Sequence, residues 1–277
     1  MGAHVSAAVV ARPTPSALAA RFRPALVYVL VGIVGAAAFL YPFWFPAESV
    51  PNLAHSGDAP LWAGIIGALA LTALALELRR GTMTGTTVAV LGVLAATGGL
   101  LRLVSLPLGG NGIFFVVILV GVAFGPRFGL LLGMSAMAVS AVITGGIGPW
   151  LPFQMLGTGA MGASAGWLGL ATGRLRPRIE VVIVAAFGWC WGFLYGAILN
   201  LWFWPFQRDG GQLSWIPGSS IGSTLHHYWS FYVATSYPWD AASALANAVL
   251  ILLTGGALLA TLRRVAHRLE PVVEFTD

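Results

Sequence analysis

An all-α membrane protein is the fold class this sequence predicts: eight transmembrane spans, with a six-helix core preceded by two additional helices. Three observations carry the expectation. The 277-residue chain is 58% apolar and 8% charged, with mean hydropathy +0.85, whereas a soluble domain carries about 25% charged residues. That balance excludes a soluble globule. Eight apolar segments reach or approach the ~20 residues needed to cross a bilayer: 25–45, 61–78, 86–103, 113–124, 128–144, 153–172, 181–204 and 241–262. Finally, all fourteen basic residues are arginine, and their spacing fits one alternation of those segments. With the amino terminus inside, Arg12, Arg21, Arg23, Arg79, Arg80, Arg127, Arg174, Arg176, Arg178, Arg263, Arg264 and Arg268 fall on the cytoplasmic side; only Arg102 and Arg208 fall outside. That asymmetry is what the positive-inside rule demands.

In chain order, residues 1–24 form a cytoplasmic tail, and its Arg12-Pro13-Thr14-Pro15-Ser16 run disfavours regular structure. Met1-Gly2-Ala3-His4 matches a myristoylation-type start and an amino-terminal copper or nickel clip, both short patterns that arise by chance. The apolar run 5–10 is too short for a signal-peptide core. Residues 25–80 make a helical hairpin of ordinary Leu, Ala and Val texture, and its outer loop, 46–60, carries no obvious chemistry. From Gly81 the texture changes to dense glycine, tight turns and tryptophan clusters. Residues 81–265 are therefore the expected core, with an outer aromatic lid loop at 205–240 and a cytoplasmic tail at 266–277. The fourth segment is short enough for a re-entrant piece. It is taken as spanning because its removal would strand Arg127 and invert every later loop.

Within the core, Gly85, Ala89, Gly92, Ala96 and Gly99 recur at alternating spacings of four and three, which puts small residues on one helix face. In lipid such a face lets another helix approach closely. The partner is either another helix of this chain or a separate membrane subunit. Gly125-Pro126-Arg127-Phe128-Gly129 reads as a cytoplasmic turn with an arginine in the headgroups. Gly145 to Pro152 is the matching outer turn, in which Trp150 either joins the interfacial belt or walls a binding site. Gln154 follows at a helix start, where a polar group at membrane depth faces a cavity or a partner.

The stretch 200–240 holds Trp202, Phe203, Trp204, Phe206, Trp215, His226, His227, Tyr228, Trp229, Phe231, Tyr232, Tyr237 and Trp239. An interfacial belt does not need so many rings. So long a loop is expected to fold as a lid, whose aromatic walls suit a flat or bulky organic ligand. His226 and His227 are adjacent and lack a supporting carboxylate or cysteine, which argues against a metal. Asp240 reads first as a helix N-cap. Asn200 and Asn247 each bond a neighbouring helix or a ligand. Arg102 snorkels or pairs with an anionic group. Cys190, the single cysteine, is expected to be a small core residue. No phosphate-cradling loop, carboxylate pair or activated nucleophile is visible, so the chain is not expected to be an enzyme or to carry a cofactor. Acids are nearly absent from the spans, which argues against ion coupling.

Gly121-Val-Ala-Phe-Gly-Pro-Arg-Phe-Gly129, the Gly145–Trp150 turn, Pro152-Phe153-Gln154, and Trp191-Gly192-Phe193-Leu194-Tyr195-Gly196 followed by Asn200-Leu201-Trp202-Phe203-Trp204-Pro205 resemble the substrate-specific S components of energy-coupling factor (ECF) transporters. The resemblance covers roughly residues 81–262. It implies a six-helix vitamin-binding subunit in a bacterial plasma membrane with both termini cytoplasmic. Substrate would be captured at the outer face under the loops after core helices one, three and five. The subunit would then dock through small residues of the first core helix onto a transmembrane coupling subunit carrying two ABC ATPases. The implied docking residues are Gly85, Ala89, Gly92 and Ala96, with glycine replacing part of the family's alanine-rich motif. The implied substrate residues are Asn111, Trp150, Gln154, Asn200, Trp204, Tyr237, Trp239 and Asn247. Cobalamin or a precursor comes first among vitamins, then thiamine or its pyrimidine precursor, then riboflavin. The partners are thus a vitamin, the coupling module and the bilayer, with no nucleic acid. The two amino-terminal helices depart from the minimal pattern. Two other classes stay open at this point: a stand-alone carrier, marked by uptake without a coupling subunit, and a membrane enzyme or sensor scaffold, marked by activity depending on His226, His227 or Asp240.

Overall fold

The computed structural model describes residues 15–44, 54, 55, 57–104 and 112–269, with side chains from residue 26 onward. Asn111, the chain's first residues with their myristoylation-type and metal-clip patterns, and the last eight residues lie outside the described residues. Among the described residues the secondary structure is entirely helical. The α-helices are α1 (Pro15–Leu40), α2 (Ala59–Arg79), α3 (Gly85–Leu101), α4 (Ile113–Phe124), α5 (Pro126–Thr144), α6 (Leu151–Thr172), α7 (Pro177–Phe203), α8 (Ile221–Thr235) and α9 (Tyr237–Leu269). Single 3-10 turns, Tyr41–Phe43 and Trp204–Phe206, follow α1 and α7.

Local chemistry explains where these helices begin and end. Thr84 caps α3 in a reciprocal box with Thr87. One residue, Gly125 at φ +90°, separates α4 from α5, and Pro126 opens α5 at a position where its missing N–H costs nothing. Gly145, at φ +66°, ends α5 in the left-handed conformation. Ser220 caps α8 through the Ser223 amide.

Among the described residues every expected apolar segment is helical over most of its length. Five of the helices are long and apolar enough to cross a membrane: 26–43, α2, α5, 177–206 and α9. α3 and α4 are apolar but shorter. α6 has 22 residues, and its glycines, two threonines and glutamine dilute its hydropathy. α4 has 12 residues and so rises only ~18 Å. It lies at the centre of the bundle, with Ile113, Phe114 and 117–122 buried, packed against α5, α6 and α9. The tightest approach is between α5 and α6. A Cβ on Gly162 would lie 2.0 Å from the Gly129 carbonyl oxygen, and one on Gly129 would lie 2.2 Å from that of Gly162. Only glycine fits at that crossing. α3 packs on α5, α7 on α9, and the α1–α2 hairpin leans on α6 and α7.

Four expectations are corrected here. α1 begins at Pro15, inside the stretch 1–24 expected to be a tail, because proline fits the first turn of a helix, where its missing N–H costs nothing. Cys190 is exposed on α7 rather than buried. An apolar texture does not separate core from surface in a bundle whose outer face meets lipid. Asp240 is not an N-cap, because α9 already begins at Tyr237 and Asp240 sits within its first turn. The aromatic segment is not all loop, since α8 occupies its middle.

Candidate functional site

Contacts between helix ends distinguish two ends of the bundle: Arg102 reaches Ser140, His55 packs on Phe153 and Trp202, and Asn200 bonds Ser236. The end that carries the aromatic segment, termed the lid end, holds the finish of α1, α3, α5 and α7 and the start of α2, α4, α6 and α9. The opposite end holds the arginine-bearing turns.

The aromatic segment has its own core. Trp204, Trp215 and Phe231 are buried together, with Phe43, Phe203 and Tyr228 packed around them. Trp204 Nε1 donates to the Leu213 carbonyl at 2.9 Å, and the Arg208 guanidinium lies 4.8 Å from the Trp215 ring centroid. His227 Nδ1 faces the Ser214 carbonyl at 3.0 Å, and the Tyr228 hydroxyl donates to the Ala197 carbonyl on α7. Burial first, and then the Asp240 carboxylate, push the Tyr228 and Tyr232 hydroxyls above the usual phenol range, so both remain neutral donors.

Beneath the lid, polar side chains gather on the inner faces of the helices. The Arg102 guanidinium, at the end of α3, reaches Met137 Sδ at 3.1 Å and Ser140 Oγ at 3.4 Å on α5. It has no carboxylate partner among the described residues. Tyr195 on α7 packs against Phe114 of α4 with ring centroids 4.6 Å apart, and it lies over Gly157 of α6. It is within electrostatic reach of both Arg102 and Asp240. Gln154 Oε1, Tyr195 Oη, Trp202 Nε1, Asp240 Oδ2 and Asn247 Oδ1 are all buried without a hydrogen-bond partner. The Asn247 amide is oriented by Nδ2 donating to the Gly188 carbonyl at 3.4 Å, which leaves Oδ1 as the free acceptor.

Of the residues singled out from sequence, Gln154 and Asn247 thus belong to this unpartnered set. Trp150 is 40% exposed at the rim, bonded to the Gly146 carbonyl and edge-on to Trp202. Asn200 uses both amide atoms on Ser236, at 2.8 and 3.0 Å, tying α7 to the α8–α9 junction. Trp204 lies inside the lid core. Tyr237 and Trp239 are exposed on the first turn of α9, with Tyr237 packed on Phe193. The structure adds Tyr195 and Trp202, which sequence reasoning missed. Tyr195 carried the same signal as Gln154, a polar atom within an apolar helix. Also missed was the repeat Gly188-x3-Gly192-x3-Gly196, on which α9 seats Asn247, Ala244 and Asp240 in turn.

On the small-residue stripe of α3, Gly85, Ala89 and Gly92 are exposed and Ala96 is half-buried. Space beside Gly85 and Gly92 is open, whereas Gly99 abuts Ser140 and Val139 of α5. Among the described residues no group of three or more His, Cys, Asp or Glu gathers as a metal would require. Cavities of about 260, 400 and 440 Å³ lie elsewhere. The smallest sits among Glu77, Thr87, Arg127 and Phe128 at the arginine end, and the larger two lie along the α1 groove with α5 and α6.

Comparison with known proteins follows this geometry. No curated protein and no solved structure matches the chain. The family described as ECF transporter, substrate-specific component, matches residues 86–254, well over half of the sequence and all of α4 to α8. The chain therefore belongs to the substrate-specific components of ECF transporters, a family of membrane-embedded transporter subunits.

Proposed function

We propose that the protein captures a vitamin or vitamin precursor at its lid end and hands it to an ATP-driven partner module. The observation that carries this reading is the set of buried, unpartnered polar atoms on Gln154, Tyr195, Trp202, Asp240 and Asn247. Buried polar groups are nearly always bonded, and at membrane depth an unbonded one marks a ligand or a pathway. Three of the five atoms are pure acceptors, which suits a heterocycle bearing N–H or O–H donors. Arg102 and Trp150 stand at the mouth. Asn200 and Trp204 hold the wall and lid in place, Tyr237 and Trp239 stand at the rim, and Asn111 keeps the substrate role that the resemblance implies. Cobalamin or a precursor, thiamine or its pyrimidine precursor, and riboflavin remain the substrates to test, in that order.

All eight apolar helices would span a bacterial plasma membrane, with both termini cytoplasmic and the lid outside. Gly85, Ala89, Gly92 and Ala96 would dock onto a transmembrane coupling subunit bearing two ABC ATPases, and their open, small-residue face supports that role. The test is mass spectrometry of small molecules retained by the purified protein, followed by titration with the three vitamins and co-expression with a coupling module. We expect one vitamin to bind without ATP. Gly92→Leu is expected to abolish co-purification with the module while leaving vitamin affinity unchanged. Absence of both vitamin binding and module association would remove the proposal.

A further inference from the structure

The amino-terminal hairpin lies outside the family match, and nothing above gives it a task. One of its residues is placed unlike a loop residue. His55 is 2% exposed and has φ +57°. A non-glycine residue in that conformation persists only where its surroundings over-determine it. Around this ring stand Phe153 at 4.7 Å, Phe206 at 4.9 Å, Trp202 stacked at 5.6 Å and Tyr41 at 5.7 Å. Nε2 faces the main-chain carbonyl of Trp202 at 3.0 Å. A carbonyl only accepts, so Nε2 carries the hydrogen. Nδ1 faces the Asp58 carboxylate at 3.0 and 3.2 Å, and Tyr41 and Trp62 donate to the same carboxylate.

The Trp202 carbonyl belongs to the last turn of α7, where helix carbonyls lack intrahelical partners and favour a donor of positive character. His55 therefore caps α7 where the chain leaves for the lid. The side chains it packs on are Trp202, whose Nε1 is one of the unpartnered atoms, and Phe153, the neighbour of Gln154.

We propose that His55 is a positioning residue for substrate capture: reaching in from the amino-terminal hairpin, it caps α7, fixes the point from which the lid departs, and holds Trp202 and Phe153 against each other. This rests on the lid-end capture site proposed above.

The test uses the full-length protein in lipid nanodiscs, with Cys190→Ala and a reporter cysteine, Gln154→Cys, labelled by a charged, membrane-impermeant maleimide. Loss of the cap in His55→Ala is expected to speed labelling about tenfold, whereas His55→Gln, which keeps an N–H for the Trp202 carbonyl, stays within about twofold. Hydrogen exchange should quicken over 204–236 and not over 113–144. A folded His55→Ala protein with unchanged labelling overturns the proposal, and so does equal loss of protection over 113–144. Should His55→Ala fail to fold, Asp58→Asn, which keeps the ring and loosens its anchor, decides: faster labelling supports the proposal and unchanged labelling overturns it. No substrate enters this measurement. Failure to bind any vitamin would sink the capture reading and leave the labelling result standing; unchanged labelling in a protein that binds vitamin would sink only the role of His55.

Discussion

The two ends of the bundle treat buried polarity in opposite ways. At the arginine end, Glu180 is buried between the Arg263 guanidinium, at 2.5 and 2.8 Å, and the Thr172 hydroxyl at 3.1 Å. Glu77, also buried, accepts from Tyr28 at 2.9 Å, from Thr82 at 2.5 Å and from Arg127 at 3.3 Å. At the lid end, Asp240 Oδ2, Asn247 Oδ1, Gln154 Oε1 and Tyr195 Oη have no partner, and Arg102 has no counter-ion among the described residues. Removing a charge from water is offset only when its partners are in place. The arginine end is therefore complete in itself. The lid end leaves these atoms open, and that difference in electrostatic closure, rather than any motif, is what supports the proposed site.

Substitutions at the two ends sharpen or break this contrast. The largest effect is expected from Arg263→Ala, which strands the buried Glu180 carboxylate and should cost about 3 kcal/mol of stability, read from unfolding of the purified protein in detergent. A negligible loss would mean that the arginine end is no more closed than the other. Next come Gln154→Ala and Asp240→Asn at the lid end. Each is expected to weaken vitamin affinity by about tenfold while changing stability by less than about 1 kcal/mol, because Gln154 Oε1 and Asp240 Oδ2 have no hydrogen-bond partner to lose. A stability loss matching that of Arg263→Ala would erase the distinction.

The smallest effect concerns pH. Burial alone would raise the Asp58 carboxyl, but hydrogen bonds from Tyr41, His55 and Trp62 outweigh it and hold the group below the usual carboxylate range. A depressed carboxyl contributes stability above its unfolded value, near pH ~3.9, and loses it as pH falls through the folded value. The wild-type unfolding temperature should therefore fall on acidification below about pH 4, and Asp58→Asn should flatten that decline. Identical profiles would show that the His55 knot does not depend on the charge.

Much of this was legible in the linear chain. The apolar segments, the turn at Gly125-Pro126, the small stripe of α3 and the polarity of Gln154 and Asn247 all follow from local composition and from how unusual a polar atom is inside lipid. Other features were not. The loop holding His55 seemed empty of chemistry because the carbonyl it caps is 147 residues away. Arg127 read as a headgroup anchor, yet it also pairs with Glu77, 50 residues distant. Cys190 seemed a core residue because lipid-facing and core-facing residues share one apolar vocabulary.

The sequence by itself determined that the chain enters a membrane, which apolar segments are helical, and to which family it bears resemblance, since each of these rests on local hydropathy, turn chemistry and short motifs. Only the tertiary structure decided which polar groups find partners and which are left waiting, and that the hairpin ahead of the core reaches across to cap α7. Satisfaction of a buried polar atom is a property of what packs against it, and packing joins residues whose separation in sequence carries no periodic signal.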